Sequence, residues 1–436
     1  MKYYNLKDKT EVVDFKTAAI KGQGKEKGLF FPQFIPQFDK DFIENLYQYS
    51  DEEIAFQCMK DFVGDTIPSD VLKQIVSETI HFEIPLKRIN EEMYSLELFH
   101  GPTLAFKDVG AKFMSRCLSY FLSNENKKIT VLVATSGDTG GAVAHGFYKT
   151  ENSNVVILYP KNRVSEVQEK QLTALGENIS ALEVDGSFDD CQRLVKQAFL
   201  DDEINSALFL TSANSINVAR WLPQQIYYLL ALKQWKKVEK ENPVICVPSG
   251  NFGNICAGIL AHFRGLPAEH FIAACNENDV VPQYLRTQKL EAKETVATLS
   301  NAMDVGNPSN FIRILELFNY EFKQLKNKIS GYSVEDKKTL ETIKKVYEKD
   351  HYLLEPHSAV AYAAMEQYLS ENPGKKGFIL GTAHPVKFPD AVEKATHTTI
   401  DLPESLESLM KKEKKSVEIQ PDFAELKRFL LYKNQQ

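Results

Sequence analysis

The sequence predicts an α/β fold: two open, mostly parallel, twisted sheets with flanking helices, preceded by an N-terminal helical lobe. Three observations lead to this prediction. Residues 1–85 carry apolar side chains at helical spacing and are interrupted by prolines. From Ile129 onward, short β-branched runs alternate with amphipathic segments, and the alternation restarts at Val244 after a charged linker. Such alternation indicates βαβ units, in which helices cover both faces of a parallel sheet.

The N-terminal lobe, residues 1–85, is predicted to consist of a short extended start and several short helices. Residues 14–20 and 51–59 place their apolar side chains at the spacing of an amphipathic helix. Prolines break the region repeatedly, and a proline in a helix interior ends or kinks the helix. We therefore expect several short helices rather than one long bundle.

A smaller α/β domain is predicted over residues 86–240. Its predicted strands are 129–134, 155–159, 179–184 and 207–211, and its predicted helices are 109–122, 142–149, 164–175 and 218–238. Ser187 and Asp190 have the spacing of a capping box, which opens a further helix ending near Leu200. Pro223 interrupts the last helix near its start.

A larger α/β domain is predicted over residues 241–436. Its predicted strands are 244–247 and 377–380, and its predicted helices are 255–262 and 359–369. Pro356 suits the first turn of the second helix. The charged segment 323–349 is expected to form an exposed amphipathic helix pair, and the tail beyond Leu402 is expected to add helices.

Length and composition limit the classes of protein that fit. A chain of 436 residues is too long for one ordinary core, and its net charge of -7 opposes attraction to nucleic acid or anionic membranes. Its six cysteines include no CxxC pair, so neither a metal site nor a disulfide framework is predicted. The sequence shows no targeting segment and no apolar run of about 18 residues, which favours a cytoplasmic location and no membrane partner.

Lys107 is the candidate nucleophile. It lies in the stretch HGPTLAFKD, residues 100–108, at the opening of a predicted helix. The apolar run Leu104, Ala105 and Phe106 would desolvate the amine, and desolvation disfavours its charged form. A neutral amine is what Schiff-base chemistry with an aldehyde requires. The alternative interpretation is an ordinary lysine on the surface of a helix.

Four ordered motifs carry a family resemblance. HGPTLAFKD, SGDTGG, PSGNFGN and GTAHPVKF together resemble the threonine synthases, pyridoxal-phosphate enzymes of the tryptophan-synthase-β fold type. The resemblance covers nearly the whole chain, although the loop 22–27 is more charged than its counterpart in the family. It implies conversion of O-phospho-L-homoserine and water to L-threonine and phosphate, the final step of threonine biosynthesis. It also implies that Lys107 holds pyridoxal 5'-phosphate as a Schiff base.

A second motif is a candidate phosphate cradle between a predicted strand and a predicted helix. Its residues are Gly250, Asn251, Phe252, Gly253 and Asn254. Backbone N–H groups of a glycine-containing loop and a helix N-terminus favour a bound anion. An ordinary tight turn is the alternative, and no GK[ST] follows that would indicate a nucleotide site. Thr382 follows a predicted strand, and the resemblance implies that it hydrogen-bonds the pyridine nitrogen of the cofactor.

Two further loops are candidate substrate sites. The first contains Thr135, Ser136, Gly137, Asp138 and Thr139, and the second contributes Ser215, Asn217 and Arg220. Hydroxyl and N–H groups suit a carboxylate or phosphate, and Arg220 would grip the departing phosphate. Asp138 repels anions, so it either caps a helix or approaches the cofactor's phenolic oxygen or the substrate amine. The alternatives for the second loop are that Asn217 is only an N-cap and Arg220 a surface cation.

Three histidines border these motifs, and rival functions remain open. His100, His357 and His384 are acid–base candidates, but lone histidines are more often structural. The rival enzymes are β-eliminating relatives such as threonine dehydratase or cysteine synthase, and a catalytically silent homologue is a third possibility. The N-terminal lobe and the GTAHPVKF motif favour a threonine synthase. A small-molecule substrate and a monomer or homodimer are expected.

Overall fold

The computed structural model describes residues 1–123 and 128–433. Its N-terminal lobe contains a small antiparallel sheet and four α-helices. The elements are β1 (Lys2–Asn5), β2 (Val12–Asp14), α1 (Phe15–Lys21), β3 (Phe30–Pro32), α2 (Lys40–Glu44), α3 (Asp51–Val63) and α4 (Ser69–Thr79). Ser50 and Glu53 form a capping box that fixes the start of α3. The predicted short helices are confirmed, and the extended start forms a sheet with the order β2-β1-β3.

The middle of the chain contains most of the predicted βαβ units. Its elements are β4 (Leu86–Arg88), β5 (Met93–Glu97), α5 (Lys107–Leu122), β6 (Ile129–Ala134), α6 (Asp138–Phe147), β7 (Ser153–Pro160), α7 (Glu166–Thr173), β8 (Ile179–Val184), α8 (Phe188–Ala198), α9 (Asp202–Ala207), β9 (Phe209–Thr211), α10 (Val218–Trp221) and α11 (Gln225–Val238). The Ser187 capping box is present at the start of α8.

The last part of the chain continues the alternation of strands and helices. Its elements are β10 (Val244–Pro248), α12 (Gly253–Phe263), β11 (His270–Cys275), α13 (Val280–Thr287), α14 (Phe311–Leu317), α15 (Phe322–Lys328), β12 (Ile329–Ser333), α16 (Asp336–Asp350), α17 (Pro356–Glu371), β13 (Gly377–Gly381), α18 (Pro389–Thr396), α19 (Glu404–Met410), β14 (Ser416–Ile419) and α20 (Phe423–Lys433).

Two larger sheets confirm the predicted fold class. The five-stranded sheet has the order β14-β8-β7-β6-β9, and every pair in it is parallel. The six-stranded sheet has the order β12-β11-β10-β13-β5-β4, and only the edge pair β4–β5 is antiparallel. Strands such as β7 and β10 are buried along their whole length, as expected when helices cover both faces of a sheet.

The strands do not follow the predicted domain boundaries. β4 and β5 were assigned to the smaller domain, residues 86–240, but they belong to the larger sheet, where β5 lies beside β13. The tail, assigned to the larger domain and expected to be helical, returns β14 to the edge of the smaller sheet beside β8. A local pattern predicts a strand but not the sheet that it joins. The three-domain division therefore remains a prediction.

Several element boundaries also differ from the prediction. The predicted helix 218–238 is divided into α10 and α11 by a 3₁₀ turn that contains Pro223, which lacks the N–H of a helical residue. The predicted helix pair in 323–349 encloses β12, whose partner β11 lies far away in sequence. The helix predicted at 142–149 begins earlier, at Asp138.

Backbone hydrogen bonds join the loop before α5 to the loop after β13. The Phe106 N–H donates to the Thr382 carbonyl at 2.9 Å, and the His384 N–H donates to the Leu104 carbonyl at 3.0 Å. A β-bridge pairs Ala105 with Ala383 between them. Because β13 lies beside β5 and β10 in parallel, the loops after all three strands reach one edge of the sheet.

The cysteines form no disulfide bonds. All six cysteines are buried free thiols. Among the helices in residues 1–123 and 128–433, none has both the length and the apolar character needed to cross a bilayer.

Candidate active site

Lys107 is the first residue of α5, and its side chain is only 15% exposed. Leu104 has a φ of +56°, which turns the preceding loop inward, and the Tyr227 hydroxyl donates to the Phe106 carbonyl. Burial lowers the pKa of the Lys107 amine, and the nearby Lys387 lowers it further, which together outweigh the opposing effect of the Asp138 carboxylate. The predicted desolvation of Lys107 is confirmed, and its role as the nucleophile remains a prediction.

Asp138 lies between two lysines. Its Oδ2 is 4.0 Å from Lys107 Nζ, whereas its Oδ1 is 2.7 Å from Lys387 Nζ. The Gln168 side-chain amide donates to the same Oδ1 at 2.9 Å. Burial alone raises the pKa of the Asp138 carboxyl, but the two lysines and the Gln168 amide lower it well below its ordinary value. Asp138 is therefore an ionised carboxylate at neutral pH.

Lys387 is the residue that the sequence interpretation missed. Its side chain is completely buried, and its ammonium donates to the Thr103 carbonyl at 2.8 Å in addition to its contact with Asp138. The available signal was the motif GTAHPVKF itself. Lys387 lies between Val386 and Phe388 there, so the desolvation argument that identified Lys107 applies to it equally.

The loop before α6 is stabilised by hydrogen bonds between the Thr135 hydroxyl and backbone N–H groups. The Thr135 hydroxyl oxygen accepts from the Gly137 N–H at 3.0 Å and from the Gly140 N–H at 2.9 Å. Gly137 has a φ of +135°, and a Cβ there would lie 2.5 Å from Gln168 Cδ, so only glycine fits. Ser136 and Thr139 are half-buried. Substrate binding by residues 135–139 remains a prediction.

The loop predicted to be a phosphate cradle leads into α12, whose first two residues are Gly253 and Asn254. Phe252 has a left-handed backbone, with a φ of +60°, and it immediately precedes the helix. The Asn251 amide donates to Ser215 Oγ at 2.7 Å, which ties the cradle to the second candidate substrate loop. A Cβ on Gly250 would lie 2.6 Å from Met303 Cα, so this position has no room for a side chain.

The cradle also contains a buried donor that lacks a partner. Asn254 accepts from the Tyr228 hydroxyl at 2.8 Å through its Oδ1. Its Nδ2 has no hydrogen-bond partner among the described residues, although buried polar groups are normally paired. A helix N-terminus with a free amide donor fits an anionic group such as the phosphate of pyridoxal phosphate.

Asn217 of the second candidate substrate loop has a structural role in the fold. Asn217 caps α10 by accepting from the Ala219 N–H at 2.9 Å, and it donates to the Ala19 carbonyl at 2.8 Å. Both polar atoms of its side chain are therefore used within the fold, which favours the N-cap interpretation. The substrate-binding roles of Asn217 and Ser215 remain predictions.

Arg220 is only 3% exposed, so the surface-cation alternative is wrong. Its guanidinium donates to the Ala213 carbonyl, and its Nε lacks a partner within the part of the chain that the structure describes. Burial lowers the pKa of Arg220 to about 10. A buried guanidinium with unused donors fits a planar or tetrahedral anion.

Thr382 is buried directly after β13, at the carboxyl edge of the larger sheet. Its backbone carbonyl accepts from the Phe106 N–H, which places the residue beside the loop that carries Lys107. This is the edge of an open α/β sheet at which ligands collect. The proposed contact with the pyridine nitrogen remains a prediction.

The histidines that border the site are held by local hydrogen bonds. His357 contacts Glu355 Oε2 at 2.6 Å through Nδ1 and accepts from the Ala302 N–H at 3.1 Å through Nε2. His384 Nδ1 accepts from the Val386 N–H at 3.1 Å, and burial lowers the pKa of His384 to about 4. These contacts favour the structural interpretation of both rings. His100 is more exposed and contacts Glu97 at 2.8 Å.

Across residues 1–123 and 128–433, no cluster of three or more His, Cys, Asp or Glu side chains is arranged to hold an ion.

Comparison with known families agrees with the geometry. The family described as pyridoxal-phosphate dependent enzyme matches residues 82–380. The threonine synthase N terminus matches residues 2–80, and the threonine synthase C-terminal region matches residues 358–430. The three matches together extend over almost the entire sequence.

Individual relatives are similar over their full length. Threonine synthase of Escherichia coli strain K12 is 45% identical, over 99% of this chain and 99% of the relative. The crystal structure of threonine synthase from Escherichia coli superposes with a TM-score of 0.92, covering 100% of both chains. The structure of pyridoxal-phosphate-bound threonine synthase from Brucella melitensis superposes equally well, with a TM-score of 0.92 at 34% identity and 100% coverage of both chains. The chain belongs to the threonine synthase family of pyridoxal-phosphate-dependent enzymes.

Proposed function

We propose that this enzyme converts O-phospho-L-homoserine and water to L-threonine and inorganic phosphate. The observation that carries the proposal is the buried amine of Lys107, with burial lowering its pKa, at the sheet edge shared with the cradle and Thr382. A buried amine of this kind can lose its proton and form a Schiff base with an aldehyde. The rival enzymes and a silent homologue find no support among the full-length relatives, which are threonine synthases.

The chain offers anchors for each part of the cofactor. Lys107 would bind its aldehyde carbon, residues 250–254 would bind its phosphate, and Thr382 would meet its ring nitrogen. Pyridoxal phosphate, when bound, supplies an electron sink that stabilises negative charge on the substrate carbons next to the amino group. The neutral hydroxyl of Thr382 does not enforce a protonated ring as a carboxylate would.

Lys107 Nζ is proposed to move the protons of the reaction. Whenever it is not bonded to the cofactor, this amine would be free to act as a base. It would first remove the proton of the α-carbon and later that of the β-carbon, which allows the γ-phosphate to leave. A proton is then delivered to the γ-carbon, which becomes the methyl group of threonine. Water adds its hydroxyl at the β-carbon, its remaining proton passes to the released phosphate, and a proton returns to the α-carbon. A single amine suits all these transfers because burial lowers its pKa from that of an ordinary lysine, which makes proton release easier while uptake remains possible.

The leaving phosphate needs a cationic site of its own. Arg220 has unused donors and a buried charge, and Ser215 lies beside it in the sequence and against Asn251 of the cradle. Residues 135–139 would then hold the substrate carboxylate through hydroxyl and N–H groups. The assignment of each anion to a loop is part of the proposal, as are the lyase class, the cytoplasmic location and the monomeric or homodimeric state.

A paired assay tests the proposed reaction. Purified enzyme with pyridoxal phosphate is expected to release phosphate and threonine from O-phospho-L-homoserine. It is expected to form little pyruvate from serine and little 2-oxobutyrate from threonine, which are the products of a β-eliminating relative. Lys107→Ala serves as the inactive control. Keto-acid formation faster than phosphate release would refute the proposal.

A further inference from the structure

Lys387, Asp138 and Lys107 form a buried set of three charges whose members come from different parts of the chain. Asp138 opens α6 beside the smaller sheet, Lys107 opens α5, and Lys387 closes the 3₁₀ turn after His384. Lys387 has no solvent exposure, and Asp138 is nearly as buried. Charges buried this deeply are normally paired with a charge of opposite sign. Their mutual geometry therefore decides which of them stays charged.

The carboxylate is shared unequally between the two lysines. Lys387 Nζ is 2.7 Å from Asp138 Oδ1, which is hydrogen-bonding distance, whereas Lys107 Nζ is 4.0 Å from Asp138 Oδ2. The Gln168 amide donates to the Oδ1 that Lys387 contacts. Asp138 is thus bound firmly on the side of Lys387 and only loosely approached by Lys107.

Lys387 is itself fixed in place. Its ammonium donates to the Thr103 carbonyl at 2.8 Å, and that carbonyl also accepts from the Gln171 amide at 3.0 Å. The neighbouring Val386 packs into an apolar cluster with Leu104 and Val167. These contacts restrain the ammonium beside Asp138, so it cannot turn toward solvent as a surface lysine would.

The charge balance of this set favours one deprotonated lysine. With both lysines protonated, two positive charges surround one negative charge in a low-dielectric environment, where such interactions are strong. Loss of a proton from Lys107 leaves a neutral pair of Lys387 and Asp138. Because Lys387 holds the closer contact with the carboxylate, Lys107 is the lysine that gives up its proton at lower free-energy cost.

We propose that Lys387 is a positioning residue of the reaction: it forms the closer ion pair with the Asp138 carboxylate and thereby leaves Lys107 with a neutral amine. This proposal rests on the proposed role of Lys107 in the reaction. Without Lys387, Asp138 would instead pair with Lys107 and hold it as an ammonium ion. Lys387 thus keeps the nucleophile reactive without contacting substrate or cofactor itself.

Other charged groups face the same set and must be considered in any titration. The charges of Arg220 and Glu355 also affect the pKa of Lys107. The charge of Lys387 also affects the pKa values of Asp108, His145 and His384. Arg220, Glu355, Asp108, His145 and His384 are unchanged in every variant described below. Differences between the variants therefore report the Lys387–Asp138 pair.

The experiment measures the protonation of Lys107 directly. Full-length protein freed of cofactor is labelled with trace acetic anhydride across pH 6 to 10, and the Lys107 peptide is quantified by mass spectrometry. Only a neutral amine reacts, so the labelling rate follows the deprotonated fraction. The measurement needs no turnover, and failure of the proposed reaction would leave its outcome unaffected.

Lys387→Met is expected to slow labelling of Lys107 at neutral pH by about tenfold or more, which corresponds to one pKa unit. Asp138→Asn is expected to speed labelling, because it leaves Lys387 as an unbalanced positive neighbour. The double variant is expected to lie between the two single variants. Lys161→Met removes a surface lysine paired with Glu418, and as a control it should label Lys107 at the wild-type rate.

The opposite signs of the two single variants separate this proposal from a purely structural role. If Lys387 only ties loops together, Lys387→Met lowers the melting temperature and leaves the pH midpoint of Lys107 labelling unchanged, which would overturn the proposal. Should Lys387→Met fail to fold, Asp138→Asn decides alone. Labelling of that variant at or below the wild-type rate would also overturn the proposal.

Discussion

Replacing Arg220 by methionine is expected to abolish phosphate recognition while leaving the fold nearly as stable as before. Arg220 is buried, and its guanidinium donates to the Ala213 carbonyl. Within residues 1–123 and 128–433, no carboxylate forms an ion pair with it. If the substrate phosphate is its partner, the free enzyme holds this charge at a cost in stability that substrate binding offsets.

The expected magnitude follows from the environment of Arg220. Burial lowers its pKa from 12.5 to about 10, which corresponds to about 3 kcal/mol of unfavourable free energy for the charged form. Methionine removes this cost but loses a hydrogen bond to a charged group, worth about 1.5–3 kcal/mol. The free energy of unfolding should therefore change by no more than about 2 kcal/mol. Loss of a buried phosphate contact costs about 2–5 kcal/mol, or roughly 30-fold or more in kcat/KM.

Arg264 provides a matched control, because it is another buried arginine but it contacts a carboxylate of the protein, Asp61 Oδ2, which lies 3.6 Å from its Nη2. Its guanidinium donates to the carbonyls of Pro36 and Cys58 at 2.9 and 2.7 Å and to Gln225 Oε1 at 3.2 Å. Arg264→Met should therefore lose about 3–5 kcal/mol of stability, and the molecules that remain folded should keep the wild-type KM.

The assay combines chemical denaturation with steady-state kinetics on O-phospho-L-homoserine. Inorganic phosphate at millimolar concentration should raise the melting temperature of the wild-type enzyme and of Arg264→Met, because a ligand that binds only the folded state stabilises it. It should leave that of Arg220→Met unchanged. The reasoning is refuted if Arg220→Met is as unstable as Arg264→Met and retains wild-type kcat/KM.

Three further predictions concern the amine, the cradle and the acid stability of the enzyme. Lys107→Ala should unfold cooperatively but develop no visible absorbance with pyridoxal phosphate; a wild-type spectrum would contradict its role. Gly250→Ala should weaken pyridoxal phosphate binding by about 1–3 kcal/mol in an absorbance titration, because its Cβ would lie 2.6 Å from Met303 Cα; unchanged affinity would contradict the cradle. Burial raises the pKa of Asp108 from 3.8 to about 6, so the native state binds more protons than the unfolded state and loses stability as pH rises through this range. Relative to Asp108→Asn, the wild-type enzyme should lose about 3 kcal/mol between pH 3.5 and 7 in urea denaturation, and equal slopes would contradict this shift.

Local patterns predicted the elements of the fold more successfully than their arrangement. The strand Ile129–Ala134 and the strand Ile179–Val184 occur with the predicted bounds, since each is a short, mostly apolar run that ends at a loop. β12 was missed because its five residues, ISGYS, include only one strongly apolar aliphatic side chain and a glycine. It forms by pairing with β11, which is an interaction that no local window contains.

In the candidate site, too, properties set by neighbouring residues in the sequence were predictable, whereas those set by tertiary contacts were not. The burial of Lys107 was predictable because its apolar neighbours precede it in sequence. The distinction between Asn217 and Arg220 was not predictable, although both lie at one helix start. Asn217 finds a partner in Ala19 of the N-terminal lobe, whereas the guanidinium of Arg220 faces the interior. Which of the two side chains keeps an unpaired donor that could bind a ligand depends on the packing of elements far apart in sequence.

The position of β5 explains why a single sheet edge gathers most of the chemistry. β5 lies beside β13 in the larger sheet, and β13 lies beside β10. Parallel strands end on the same side, so the loop to Lys107, the loop with Thr382 and the cradle after β10 meet there. The predicted boundary at residue 86 placed β5, and hence Lys107, with the smaller sheet. Because β5 instead joins the larger sheet, α6 of the smaller sheet need contribute only Asp138 to complete the charge set around Lys107. The two sheets are therefore coupled through a buried carboxylate, because Asp138 at the start of α6 lies 2.7 Å from Lys387, which follows β13 of the larger sheet.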